Sequence, residues 1–169
     1  MNNNNNGTSA RRTLLRILSG NPDAAALIKG VGEYPDISGI TAFFQTNKGV
    51  IVAANIENLP DINTECGDEV FGFHIHEGKS CTGNEDDLLS DTLGHYSPNE
   101  CPHPFHAGDL PPLFSNDGTA LMMVLTNRFK LSDVIGRTVV VHRAPDDFTT
   151  QPSGNSGEKI ACGVIESRQ

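Results

Sequence analysis

The chain has 169 residues, enough for one domain with a sizeable core, and its 37% hydrophobic content, 17 glycines, 10 prolines and lack of tryptophan point to short elements joined by many turns. A net charge of −9 argues against nucleic acid or an anionic membrane surface as partner, and any anionic substrate has to be drawn in locally against the overall field. No stretch approaches the roughly 18 to 20 apolar residues that a bilayer-spanning helix needs, so no membrane partner is expected.

Met1–Thr8, with its asparagine run, has no apolar content to pack and is expected to be disordered. Ser9–Leu18 sets arginines before leucines in the manner of a signal peptide, but Arg16 interrupts the apolar stretch and no small-residue cleavage site follows. It reads as a short helix ending near Gly20, and a cytoplasmic address is expected. Residues 1–21 are thus set apart from a domain over 22–169. Within that domain Ala24–Ile28, Gly39–Gln45 and Val50–Ile56 read as strands, the last two joined by the hairpin signal Asn47-Lys48-Gly49. Glu69–His76 reads as a fourth strand.

From Glu77 to about Asn116 the periodicity disappears. A segment of that length is uncommon in a compact domain unless it is functional, and a bound ion can order what hydrophobic burial cannot. Strands resume at Thr119–Thr126, Thr138–His142 and Lys159–Ile165, with a second irregular segment, Arg143–Glu158, before the last. Short strands with little helix predict an all-β antiparallel sandwich or barrel, with both irregular segments over one face.

All six histidines fall in one constellation: His74-Ile75-His76, His95, His103-Pro104-Phe105-His106 with Asp109 three residues on, and His142 at the end of an apolar run. Side chains alternate along a strand, so His74 and His76 share a face while Phe73 and Ile75 point into a core. His103, His106 and Asp109 recur every third residue in a proline-rich segment too irregular for a helix, as expected of a loop folded around an ion. Three ligands there plus one from elsewhere complete a tetrahedral site. A lone histidine on a strand or loop is more often a satisfied core or surface residue. Every histidine at ligand spacing reverses that reading, and the chain is predicted to hold two metal ions.

The four cysteines, Cys66, Cys81, Cys101 and Cys162, include no Cys-x-x-Cys pair, which excludes a thioredoxin-like motif or a zinc ribbon. Three full pairings remain open, and a cytoplasmic address favours reduced thiols.

With these residues placed, the chain resembles copper/zinc superoxide dismutases over roughly Ala24 to Ile165. The resemblance lies in Gly72-Phe-His-Ile-His-Glu77, Gly94-His-Tyr-Ser-Pro98, His106-Ala-Gly-Asp-Leu110, Asn116-Asp-Gly118, Ile135-Gly-Arg-Thr-Val-Val-Val-His142 and Gly154-Asn-Ser-Gly157, running into Ala161-Cys-Gly-Val-Ile165. It implies an eight-stranded antiparallel Greek-key barrel or flattened sandwich with two long metal-site loops. It further implies copper on His74, His76, His95 and His142, and zinc on His95, His103, His106 and Asp109, with His95 as a bridging imidazolate that also supplies a proton. Asp146 matches the carboxylate that orients His74 and His103, and Cys81 and Cys162 match the family's disulfide. Lys159 stands where the family carries an arginine beside the copper channel; it keeps the charge that docks an anion but not the planar fork.

The implied activity is dismutation of superoxide to dioxygen and hydrogen peroxide by one-electron cycling of copper. The alternative is a copper-binding or copper-buffering barrel with weak or no dismutase activity. A homodimer is compatible with either.

Overall fold

The computed structural model describes residues 17, 19–61 and 69–168. The Asn-rich start, nearly all of the expected helix and Cys66 lie outside them; Gly20, at φ 67°, sits in a turn where the helix is expected to end. The described residues form nine strands: β1 (Ala24–Gly30), β2 (Ser38–Thr46), β3 (Gly49–Glu57), β4 (Val70–Phe71), β5 (Phe73–His76), β6 (Leu113–Asn116), β7 (Thr119–Thr126), β8 (Thr138–His142) and β9 (Lys159–Ser167). A short helix, α1 (Leu131–Val134), interrupts the connection between β7 and β8.

The strands hydrogen-bond in the order β4-β6-β7-β3-β2-β1-β9-β8-β5, every pair antiparallel. The outermost two, β4 and β5, are consecutive in sequence and separated only by Gly72, so one bent strand closes the sheet into a barrel. The expected fourth strand is therefore split, and counting it once recovers the eight strands that the resemblance implies. The connections β3→β4 and β7→β8 each pass over two intervening strands, the Greek-key pattern. The strand missing from the sequence reading is β6, which lies inside the segment expected to be irregular.

Gly72 makes the corner possible. A Cβ there would come within 2.8 Å of Ser156 Cβ and Oγ, while the Gly72 N–H donates to Ala144 O and its carbonyl accepts from His142 N–H. The bend thereby delivers His142 and the 143–158 segment to the start of β5.

Period-two alternation builds the core. Val50, Val52, Ala54 and Ile56 of β3 are buried, as are Phe43, Phe71, Phe73, Ile75, Leu113, Val139, Val141, Ile160 and Ile165, in one contiguous cluster inside the barrel. The expected Asn47-Lys48 hairpin is present, with Thr46 paired to Gly49. On β5 the alternation puts Phe73 and Ile75 inside and His74 and His76 outside. Both histidines are nonetheless buried, at 0% and 2% exposure, because the two long segments lie over them.

Candidate metal centre

The edge of β5 away from β8 sets the register of the ligands. Ile75 N–H donates to Gly108 O at 2.9 Å, Tyr96 N–H donates to Ile75 O at 2.8 Å and Gly108 N–H donates to Tyr96 O at 2.8 Å. These bonds place Asp109 opposite His74 and His95 opposite His76 as isolated bridges. Glycine is required at 108, because any Cβ would overlap the Ile75 carbonyl. On the other side β8 brings in His142, and the proline-rich turn brings in His103 and His106.

The result is two groups of ligand atoms, each within 4.8 Å of one another: His74, His76, His95 and His142; and His95, His103, His106 and Asp109. His95 belongs to both. Its Nδ1 lies 2.8 Å from Asp109 Oδ1, on the side of the second group, while Nε2 is buried without a partner. All six histidines and Asp109 are thus brought together as the sequence expects.

In four of the rings hydrogen bonding fixes which nitrogen holds the lone pair. His76 Nδ1 donates to Leu93 O at 2.9 Å and His142 Nδ1 donates to Gly157 O at 3.3 Å, since a carbonyl can only accept. Their Nε2 atoms then face each other 3.1 Å apart, two lone pairs directed at one point. His74 and His103 donate from Nε2 to the two oxygens of Asp146, at 2.8 and 2.9 Å, which turns each Nδ1 inward. The buried side-chain atoms without a hydrogen-bond partner include His74 Nδ1, His95 Nε2, His103 Nδ1 and His106 Nδ1. Buried polar atoms are rarely left unpaired, and here they are clustered and inward-facing, the arrangement that a cation satisfies.

Electrostatics agree. Burial, followed by neighbouring histidines, pushes His142 down to about 3. Burial also lowers His74 to about 4, against the opposing bond to Asp146, and lowers His76 well below the ordinary value. All three rings are therefore neutral, and free to ligate, at pH 7. For Asp146 burial acts upward but is outweighed by hydrogen bonds from His74, Phe148 N–H and His103, leaving the carboxyl below the usual range. Asp109 is also lowered, burial being outweighed by His95, His106 and His103.

The model of the copper/zinc superoxide dismutase (SODC) family matches residues 37–165. The chain belongs to the copper/zinc superoxide dismutase family. A superoxide dismutase [Cu-Zn] from Legionella pneumophila is 35% identical, the match covering 85% of this chain and 87% of the relative. Superoxide dismutase [Cu-Zn] 2 of Aquifex aeolicus is 30% identical over 94% of this chain and 96% of its own length. The solved copper/zinc superoxide dismutase of Brucella abortus superposes with a TM-score of 0.71 at 29% identity, over 85% of this chain and 99% of that one.

The Cys81–Cys162 disulfide is formed and ties the start of the long segment to β9, in a small apolar cluster with Leu89 and Val140. Cys101 is a free, half-buried thiol. In this member of the superoxide dismutase family Lys159, paired in register with His142, is not a free cation: Nζ donates to Asp87 Oδ2 at 2.7 Å and to Leu89 O at 3.2 Å. Asp87 is correspondingly held below its ordinary pKa, its burial being outweighed by the lysine. Arg143, the other local cation, donates from Nε to Tyr34 Oη at 3.1 Å.

Sequence reasoning missed Gln151, whose amide makes a two-way pair with the backbone of His103: its Oε1 accepts from His103 N–H at 3.0 Å and its Nε2 donates to His103 O at 2.7 Å. It also missed the carbonyls of Leu93 and Gly157. Gly154, within a quoted motif, was the one available signal, since a Cβ there would overlap the Asp146 carboxylate.

Proposed function

We infer that this protein is a superoxide dismutase whose copper is held by His74, His76, His95 and His142 and whose zinc is held by His95, His103, His106 and Asp109. The observation that carries the assignment is the lone-pair pattern: an all-imidazole group on one side, a group completed by a carboxylate on the other, and one ring serving both. Copper when bound supplies a one-electron couple, and zinc a fixed positive charge with no accessible redox step.

Two superoxide ions and two protons give one dioxygen and one hydrogen peroxide, so the protein has to admit an anion and deliver protons. His95 is the proton carrier. Its Nδ1 is anchored toward Asp109, and Nε2 is the nitrogen that can take up a proton, pass it to the reduced product and lose it again. Asp146 keeps His74 and His103 in the tautomers that aim Nδ1 inward, and Leu93 O and Gly157 O do the same for Nε2 of His76 and His142. Lys159 places a positive charge beside His142 to dock the anion, tempered by Asp87.

The copper-buffering reading is not favoured, because a carrier has no use for a ring shared between two groups or for a carboxylate that orients one ring of each. Reconstitution with both metals, followed by superoxide decay with and without cyanide, tests the assignment. Cyanide-sensitive decay far above that of an equal amount of free copper is expected; turnover no better than free copper would return the buffering reading.

A further inference from the structure

Arg128 lies two residues past the end of β7, is not among the ligand groups, and gathers three backbone oxygens with one nitrogen. Its Nη1 donates to the carbonyls of Pro104 at 3.1 Å, His106 at 3.2 Å and Asp109 at 3.3 Å. All three belong to the stretch that follows His103 and carries His106 and Asp109. We propose that Arg128 is a positioning residue for the zinc group, clamping the backbone of residues 104–109 so that His106 Nδ1 and the Asp109 carboxylate face inward. The proposal rests on the zinc assignment above.

The far end of this stretch is tied at Gly108, whose carbonyl accepts from Ile75 N–H and whose N–H donates to Tyr96 O; between Pro104 and Ala107 little besides Arg128 holds the backbone. The stretch contains no helix or strand, and its own bonds are Phe105 N–H to Pro102 O at 2.8 Å, His106 N–H to Asp109 Oδ2 at 3.0 Å and a long Asp109 N–H to His106 O contact at 3.3 Å. Packing holds it unevenly: Ala107 packs against the barrel core, whereas Phe105 is 66% exposed and borders an open cleft of about 510 Å³ shared with Leu125 and Phe148. The peptide groups are polarised in one sense: His106 N–H points toward the Asp109 carboxylate, while the carbonyls of 104, 106 and 109 point out toward the guanidinium. A cation at their negative ends makes charge-assisted bonds that fix this orientation. The clamp is itself anchored, since Arg128 N–H donates to Thr126 Oγ1 at 3.2 Å and β7 is paired to β3 along almost its whole length. Arg128 thus joins the rigid barrel to a loop that has to hold two ligands in place.

The test is cobalt(II) titration of the metal-free, disulfide-intact full chain, followed by zinc displacement and a separate copper(II) titration, for the wild type, Arg128→Ala and Arg128→Lys. Arg128→Ala is expected to weaken zinc 10- to 100-fold, the usual range for loss of a group that orients ligands. It should also alter the cobalt visible bands and leave copper affinity within about threefold. Arg128→Lys, with a cation and three N–H donors, should recover most of the loss. Zinc affinity within twofold of wild type with an unchanged cobalt spectrum overturns the proposal, and so does an equal loss of both metals, the mark of a general structural role.

If the wild type itself shows no cobalt site, it is the zinc assignment that fails. The clamp is then decided by amide exchange of Phe105 and Asp109 in the metal-free protein. Exchange at least tenfold faster in Arg128→Ala but not in Arg128→Lys supports it, and unchanged exchange refutes it. Should Arg128→Ala fail to fold, Arg128→Gln gives the same readings.

Discussion

Asp146 joins two histidines that are 72 and 43 residues away in sequence, and each of its oxygens faces one ring. Asparagine would keep the shape but offer one acceptor and one donor, so one of the two rings would have to present the wrong nitrogen inward. Asp146→Asn is therefore expected to lower the affinity of at least one metal about 10- to 100-fold, read by chelator competition with each ion separately. Unchanged affinity for both would show that the rings hold their tautomers without it.

The same residues set a pH profile for the metal-free protein. The unfolded chain takes up a proton at each histidine as pH falls through about 6.5, whereas folded His74 and His142 do so only near about 4 and about 3. Stability is thus complete above about 6.5 and is lost toward lower pH, at about 1.4 kcal/mol per pH unit for each such histidine. The depressed carboxyls of Asp146 and Asp109 add stability that is complete above their unfolded value and is lost as pH falls from there through their lowered folded values. Urea denaturation of metal-free protein should show this decline between about pH 6.5 and 4, and a flat profile would contradict the neutral, buried rings.

At the scale of elements, the segment from Glu77 to Leu93 matters through what it holds. The Cys81–Cys162 disulfide closes a loop with a sequence separation of 81, for which chain entropy gives about 4.5 kcal/mol. Cys81→Ser is expected to cost about 2 to 4 kcal/mol in denaturant unfolding. Because Leu93 O orients His76, copper retention should fall before the barrel melts. A variant that melts early yet keeps copper as tightly as wild type would separate the loop from the ligand.

Which elements were legible depends on where their information is written. β3 is a short apolar run bounded by turn residues and β5 alternates apolar side chains with histidines, so both strands and the facing pair His74 and His76 could be read directly. The two-residue β4 and four-residue β6 have too few positions for periodicity, and Pro111-Pro112 just before β6 disguises it as loop. Asp146 was legible only through the resemblance, since no local pattern links residue 146 to 74. Gln151 and Arg128 act on backbone oxygens and amides, which any residue type presents, so no sequence signature marks their partners.

For the molecule as a whole, ligands and core are segregated. The hydrophobic cluster fills the barrel, whereas the rings sit outside its wall beneath two loops. His142→Ala should accordingly abolish superoxide decay by the reconstituted protein, keep zinc affinity within about threefold and leave the fold intact, with circular dichroism and a melting curve as the check. Unfolding at moderate temperature with zinc bound would contradict that segregation. The net charge of −9 and the pairing of Lys159 with Asp87 weaken the long-range attraction for superoxide, so the anion has to be captured at short range.

The bend at Gly72 has a further consequence. A ring of strands offers no terminal stave from which a neighbouring molecule could begin templated growth, and the protection lasts only while the ring stays shut. Its two shortest registers flank β6: Ser115 with Ala120 and Asn116 with Thr119 on one side, and on the other, where the bent strand closes the ring, Val70 with Phe114 and Phe71 with Leu113. Prying open that short join would bare two raw edges at once, so resistance to fibril formation should stand or fall there.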